Sequence, residues 1–310
     1  MRRIEQHIQI PPSEKITNVR GRAILLAEHV LFGPLERHGL RNMLRGTRTE
    51  YAEDFGDKYL RAIEEGYFPI LVGNHRAHID GAFLGLVTKR LTSVANERLP
   101  KDKQMEAFGL IYAASLHFGY QGPMLKGFSD AAYEVLDEND TVTFFHTRPQ
   151  DVQRYKMRSQ PIREFKDLVQ AVRNGYGIAI LAEGETKAGK TNPETGKPFG
   201  MGVLMPGAIE RTMAAMYAAG RKPMIITVSI AGGSRAQNPN TRLPSVESFK
   251  AGLGFGDMHL IDMYVSSPLR GDQGEIARLY KARDSENLNT LVGRQIAQHL
   301  PPGDRGAVYG

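Results

Sequence analysis

The run Gly73-Asn74-His75-Arg76-Ala77-His78-Ile79-Asp80 gathers the side chains best suited to chemistry. It pairs an imidazole, which can take up or release a proton near neutral pH, with a carboxylate that can orient it. At ~100° per residue, His75 and Asp80 would stand roughly 140° apart around a straight helix and could not share a face. They can meet if the stretch is a turn leading into a helix that begins near Asp80. The short apolar run before it and Gly81 after it both permit this. Asp80 would then accept a hydrogen bond from one ring nitrogen, leaving the other as a base for a hydroxyl. A blander role is also open, in which both residues merely cap a helix. His78 stands three residues after His75, a metal-ligand spacing on a helix, but no third ligand follows at suitable spacing. A metal-dependent phosphoesterase would need an Asp-x-His upstream. The only such triplet, Asp257-Met258-His259, lies far downstream.

The elements that must hold these residues alternate in type. Short apolar runs bounded by turn residues occur at Pro69–Val72, Thr141–Phe145, Ile178–Ala182, Met224–Ile230 and His259–Val265. Each has the length and continuity of a strand buried on both faces. Helical patterns fall at 55–65, 82–91, 104–117, 128–137, 162–173 and 203–219. This alternation predicts an α/β sheet covered by helices. Ahead of it come an irregular arm over the first 16 residues and an amphipathic helix from Arg20 to Phe32, closed by Gly33-Pro34. That helix suits either packing on the main domain or lying on a bilayer surface. Residues 273–299 read as a closing helical region, with an exposed tail from Pro301. The expected division is 1–50 for the arm and helices, 51–270 for the α/β domain, and 271–310 for the helical end.

Composition narrows the chemistry further. There is no Cys, so a disulfide scaffold, a thiolate nucleophile, Cys-ligated zinc and an iron–sulfur cluster are all excluded. The longest unbroken apolar run, Met213–Ala219, is far short of the 18 or so residues of a membrane-crossing helix. The opening residues lack the apolar stretch of a secretory signal. The expectation is a cytoplasmic protein, soluble or peripheral on the inner face of the membrane. The 40 Lys and Arg exceed the 34 Asp and Glu by six, which favours anionic partners such as phosphate esters, lipid surfaces or acidic carrier proteins. These cations are scattered rather than gathered in an aromatic-interleaved stripe, which argues against nucleic acid.

Asn74-His75 with Asp80, and Arg76 beside the His, resembles the first motif of the glycerolipid acyltransferases, which act on glycerol 3-phosphate or 1-acylglycerol 3-phosphate. Further segments are similar to that family's motifs in the family's order. Thr143-Phe144-Phe145-His146-Thr147-Arg148 resembles the second, a strand ending in Phe-x-x-Arg. Leu181-Ala182-Glu183-Gly184-Glu185-Thr186-Lys187 resembles the third, an apolar strand running into Phe-Pro-Glu-Gly-Thr-Arg-Ser. Pro198-Phe199-Gly200-Met201-Gly202 is similar to a Pro-Phe-x-x-Gly segment shortly after it, and Lys222-Pro223-Met224-Ile225-Ile226-Thr227-Val228 to the fourth. There are departures. Glu185 stands where Thr is usual, or one residue is inserted, so the third motif's Arg is represented by Thr186 or Lys187. Thr227 replaces a second proline. The long gap from Asp80 to Arg148 makes Lys126 a rival for the second-motif cation.

The resemblance implies a mixed, mostly parallel central sheet flanked by helices, with helical additions at both ends. It implies that His75 deprotonates an acceptor hydroxyl, which attacks an acyl thioester carried on coenzyme A or acyl carrier protein, while Asp80 fixes the His tautomer. Arg148, Lys187 and Lys190, with Arg76 and Lys126 as further candidates, would hold the acceptor's phosphate. Asn74, Gly184 and Thr186 would line the substrate site. Glu183 reads as a carboxylate that orients its loop rather than a second base. No metal or redox cofactor is implied. The implied acceptor is glycerol 3-phosphate or a related phosphorylated compound, in phospholipid synthesis. Another acceptor (a lysophospholipid, a sugar or an amine) and a non-catalytic acyl- or lipid-binding protein are the alternatives.

Overall fold

The computed structural model describes residues 42, 46–75, 80–101, 104–105, 107–114, 142–147, 160–183, 200–236, 245–255, 259–306 and 309. Among the described residues, eight strands form one sheet. In chain order they are β1 (Arg48–Tyr51), β2 (Tyr67–Gly73), β3 (Ala107–Ala114), β4 (Val142–Thr147), β5 (Tyr176–Leu181), β6 (Lys222–Ala231), β7 (Asp262–Val265) and β8 (Leu269–Arg270). Their spatial order is β1-β7-β6-β2-β5-β3-β4, with β8 paired to β6. The five strands from β6 to β4 are mutually parallel. β7 and β8 run antiparallel to β6, and β1 runs parallel to β7. This is the mostly parallel α/β sheet that strand–helix alternation requires.

Burial explains why these segments are strands. Every residue of β2 is buried, as is all of β6 after Lys222. A strand with helices on both faces has no polar side to present, so its sequence is continuously apolar. Pro69 is tolerated inside β2 because the ladder to β5 begins only at Ile70, and a proline has no N–H to give it.

Among the described residues, the helices are α1 (Phe55–Glu64), α2 (Asp80–Asn96), α3 (Gln160–Arg173), α4 (Ala208–Ala218), α5 (Gly233–Ala236), α6 (Val246–Gly252), α7 (Gly274–Ala282) and α8 (Ser285–Ala297). Crossovers between parallel strands are right-handed, so helices that carry the chain in opposite directions along a sheet cover opposite faces. α2 carries the chain from β2 toward the β4 edge. α3 and α4 carry it back toward β6, and they pack on each other and, through α4, on α8. α1 joins α2 on the other face, where the buried Tyr59 hydroxyl donates to the Leu91 carbonyl at 3.1 Å. Burial pushes that phenol's pKa far above its ordinary value, so it acts as a neutral donor.

The expected helix over 104–117 is a strand for most of its length. Ala107–Ala114 pairs in parallel with both β5 and β4. An apolar run of eight residues fits a buried helix or a buried strand equally well by periodicity, and here two parallel neighbours supply its hydrogen bonds. β1 and β8 carry no pattern long enough to mark them from sequence. The expected exposed tail divides in two. Pro301 to Gly303 are exposed, whereas Asp304 to Gly306 and Tyr309 are half-buried. The predicted helices at 20–32 and 128–137 lie outside the described residues. No helix among the described residues is long and apolar enough to cross a membrane.

Candidate active site

Gly73 closes β2 and is in register with Leu181 of β5 and Val228 of β6. The residues that follow β2 and β5 therefore emerge together at the carboxyl edge of the sheet. Here β2 sends the chain toward β4, while β5 sends it back past β2 toward β6. Crevices at such reversals are where open α/β sheets bind ligands.

His75 and Asp80 meet there. α2 begins at Asp80, so the carboxylate stands at the start of a helix. His75 Nδ1 lies 3.4 Å from Asp80 Oδ2. The Asp80 side chain is fully buried and the His75 side chain is 12% exposed, so the ring borders solvent with the carboxylate behind it. A carboxylate in the first turn of a helix also sits at the positive end of the helix dipole. The separation exceeds the 2.7–3.2 Å of an ordinary hydrogen bond. Nδ1 is the ring nitrogen that faces Asp80.

Asn74 is fully buried, and both ends of its amide are engaged. Its Nδ2 donates to the Ile230 carbonyl at 2.9 Å, and its Oδ1 accepts from the Ile230 N–H at 2.7 Å. The side chain thus extends the β2–β6 pairing by one rung just before His75. The resemblance makes Asn74 a substrate-lining candidate, and these two hydrogen bonds tie it to the backbone of β6.

Glu183, two residues past β5, bridges two segments. Oε1 accepts from the His75 N–H at 2.8 Å, and Oε2 accepts from the Gly202 N–H at 2.6 Å. A carboxylate only 7% exposed needs such donors, because removing a charge from water is costly unless hydrogen bonds replace the hydration. The loop over Gly200–Gly207 is fixed further by the Met205 N–H, which donates to the Ala182 carbonyl at 2.7 Å. Asn289 of α8 also donates to the Met205 carbonyl, at 3.0 Å.

The structure brings together His75, Asp80, Asn74 and Glu183. Arg76, Lys126, Arg148, Gly184, Thr186, Lys187 and Lys190 lie outside the described residues. Ile230, Asn289 and Tyr309, which also build the surroundings, carried no advance signal. They are distant in sequence: Ile230 meets Asn74 through its backbone, and Asn289 and Tyr309 hydrogen-bond the backbone of Met205 and Leu204. Among the described residues no three His, Asp or Glu side chains are grouped as a metal ion would need.

No family description of known proteins matches the chain, and no curated protein does either. Among solved structures the chain is similar to the 1-acyl-sn-glycerophosphate (LPA) acyltransferase PlsC from Thermotoga maritima, at 11% identity across 87% of this chain and 88% of that one, with a TM-score of 0.36.

Proposed function

We propose that the chain is an acyltransferase that moves a fatty acyl group from a thioester to a hydroxyl of a phosphorylated glycerol-type acceptor. One observation carries the reading. His75 lies against the buried carboxylate of Asp80 at the carboxyl edge of a parallel sheet, with its ring reaching solvent. The ordered motif resemblance from Asn74 to Val228 supports acyl transfer over other base-assisted chemistry.

In this mechanism His75 Nε2 takes the proton of the acceptor hydroxyl as the oxygen attacks the thioester carbonyl. Asp80 steadies the imidazolium that forms. The tetrahedral oxyanion then collapses, the carbon–sulfur bond breaks, and the departing thiolate takes the proton back as free thiol. No redox step or metal is needed. Glu183 holds the His75 backbone so that the ring meets the hydroxyl. Arg148, Lys187 and Lys190, with Arg76 and Lys126 as alternates, are assigned to the acceptor phosphate, where arginine can grip two oxygens and lysine only one point. The donor is an acyl-coenzyme A or acyl carrier protein, and glycerol 3-phosphate is the favoured acceptor. A net charge of +6 suits an acidic carrier and peripheral contact with an anionic membrane surface from the cytoplasm.

The test is free-thiol release from an acyl thioester in the presence of glycerol 3-phosphate. His75→Ala is expected to lower kcat by about 10²–10⁴-fold, the usual contribution of a positioned base. An unchanged rate in that variant would reject the mechanism. Tight acyl binding without thiol release, whatever the acceptor, would mark a binding protein instead.

A further inference from the structure

The residues after α8 return to the site. The Met201 N–H donates to the Asp304 carbonyl at 2.7 Å. Gly200 and Gly306 cross so closely that a Cβ on either would overlap the backbone of the opposite segment. Gly306 also has φ +77°, a conformation that only glycine adopts freely. Tyr309 lies with its ring directly over Gly293 of α8, and its hydroxyl accepts from the Leu204 N–H at 3.4 Å. Asp304, Gly306 and Tyr309 therefore clamp the stretch Gly200–Leu204 against α8.

The middle of that stretch, Gly202, gives its N–H to Glu183, and the other oxygen of Glu183 holds the N–H of His75. His75 lies beyond the end of the β2 ladder, where strand pairing no longer fixes its backbone. Its placement instead depends on a carboxylate whose second anchor is set by the far end of the chain. Burial, with a smaller push from the Glu183 charge, raises the Tyr309 pKa above its ordinary value, which keeps the phenol neutral beside this carboxylate.

We propose that Gly306 and Tyr309 are positioning residues for His75, acting through the Gly200–Leu204 stretch and Glu183 to set where the imidazole points. As a statement about catalysis, this rests on His75 being the base. A misplacement of about 1 Å far from the reacting atoms can cost ~10²-fold in rate, so a small shift at Gly202 is enough to be seen.

The experiment uses the 310-residue chain. Gly306→Ala places a methyl group against the Met201 carbonyl. It is expected to lower kcat for thiol release roughly tenfold or more with the thioester KM nearly unchanged. The chemical shift of the His75 ring proton at fixed pH, identified in the NMR spectrum by its loss in His75→Ala, is expected to move as well. A merely destabilised protein would lose kcat in proportion to the folded fraction and keep the folded-state chemical shift. Tyr309→Phe keeps the ring over Gly293 and removes only the hydroxyl. It carries the test if Gly306→Ala fails to fold, with a smaller shift in the same two readouts. A folded variant with wild-type kcat and a wild-type His75 chemical shift would overturn the proposal. Thiol release that survives His75→Ala would instead reject the base, while the NMR chemical shift would still decide whether this segment positions the ring.

Discussion

Asp80 and Asn74 show two uses of a buried polar side chain within seven residues. Asp80 aims another side chain, and Asn74 closes a gap in the backbone pairing. The consequences of mutation differ accordingly. Asp80→Asn keeps the shape but replaces a carboxylate by a neutral amide that no longer stabilises an imidazolium. It is expected to lower kcat at least ~10-fold with the fold intact, read as thiol release beside an unchanged circular dichroism spectrum. Asn74→Ala strips the partners from both the N–H and the C=O of Ile230. Orphaning buried groups of this kind costs about 1–3 kcal/mol each, so the urea midpoint should fall clearly. An unchanged midpoint would mean that water satisfies both groups. Glu183 belongs with Asn74 in this respect, since its two oxygens accept from the backbone amides of His75 and Gly202.

At the scale of elements, the central strand carries the most. β2 is buried throughout and flanked on both edges by parallel neighbours, with Leu71 fully enclosed at its centre. Leu71→Ala is expected to destabilise the protein by about 2–5 kcal/mol, because a cavity there is ringed by strands that cannot collapse into it. The loss would be measured by denaturant unfolding, and less than ~1 kcal/mol would show that the site relaxes. The strands β2, β4, β5, β6 and β7 are all signalled by apolar runs bounded by turn residues. β3 is not, because its run fits either element and only its neighbours decide. The short edge pieces β1 and β8 owe their conformation to pairing with β7 and β6 rather than to local pattern.

Across the whole molecule, the end of the chain serves as a support. His299, just past α8, stacks on Tyr264 of β7 with ring centroids 3.6 Å apart, and its pKa is held below the ordinary value by burial. The fold therefore prefers neutral His299, while the unfolded chain binds a proton at the usual histidine pKa. Stability from this contact is complete above that pKa and declines as the pH falls through it toward the lower folded value. Melting temperatures compared between pH 7.5 and 5.5 should show a smaller decline in His299→Gln than in the wild type. Equal declines would remove His299 from the pH response. Asp54, Glu275 and Asp284 have pKa values lowered chiefly by side-chain hydrogen bonds from Lys58, Arg278 and Asn287 respectively. Their contributions disappear only at more acidic pH, so they do not obscure this comparison.

By itself the sequence determined the α/β alternation, the strand that delivers Asn74 and His75, and the condition under which His75 and Asp80 can touch. These depend on residues close together along the chain, where periodicity and turn chemistry act directly. Only the tertiary structure decided that Ala107–Ala114 is a strand, that the Asn74 amide is taken up by Ile230, and that Glu183 ties His75 to Gly202. It alone brought Asp304, Gly306 and Tyr309 beneath the same loop. These contacts join residues from 19 to 156 positions apart, largely through backbone groups, and backbone groups are identical at every position, so no side-chain pattern announces them.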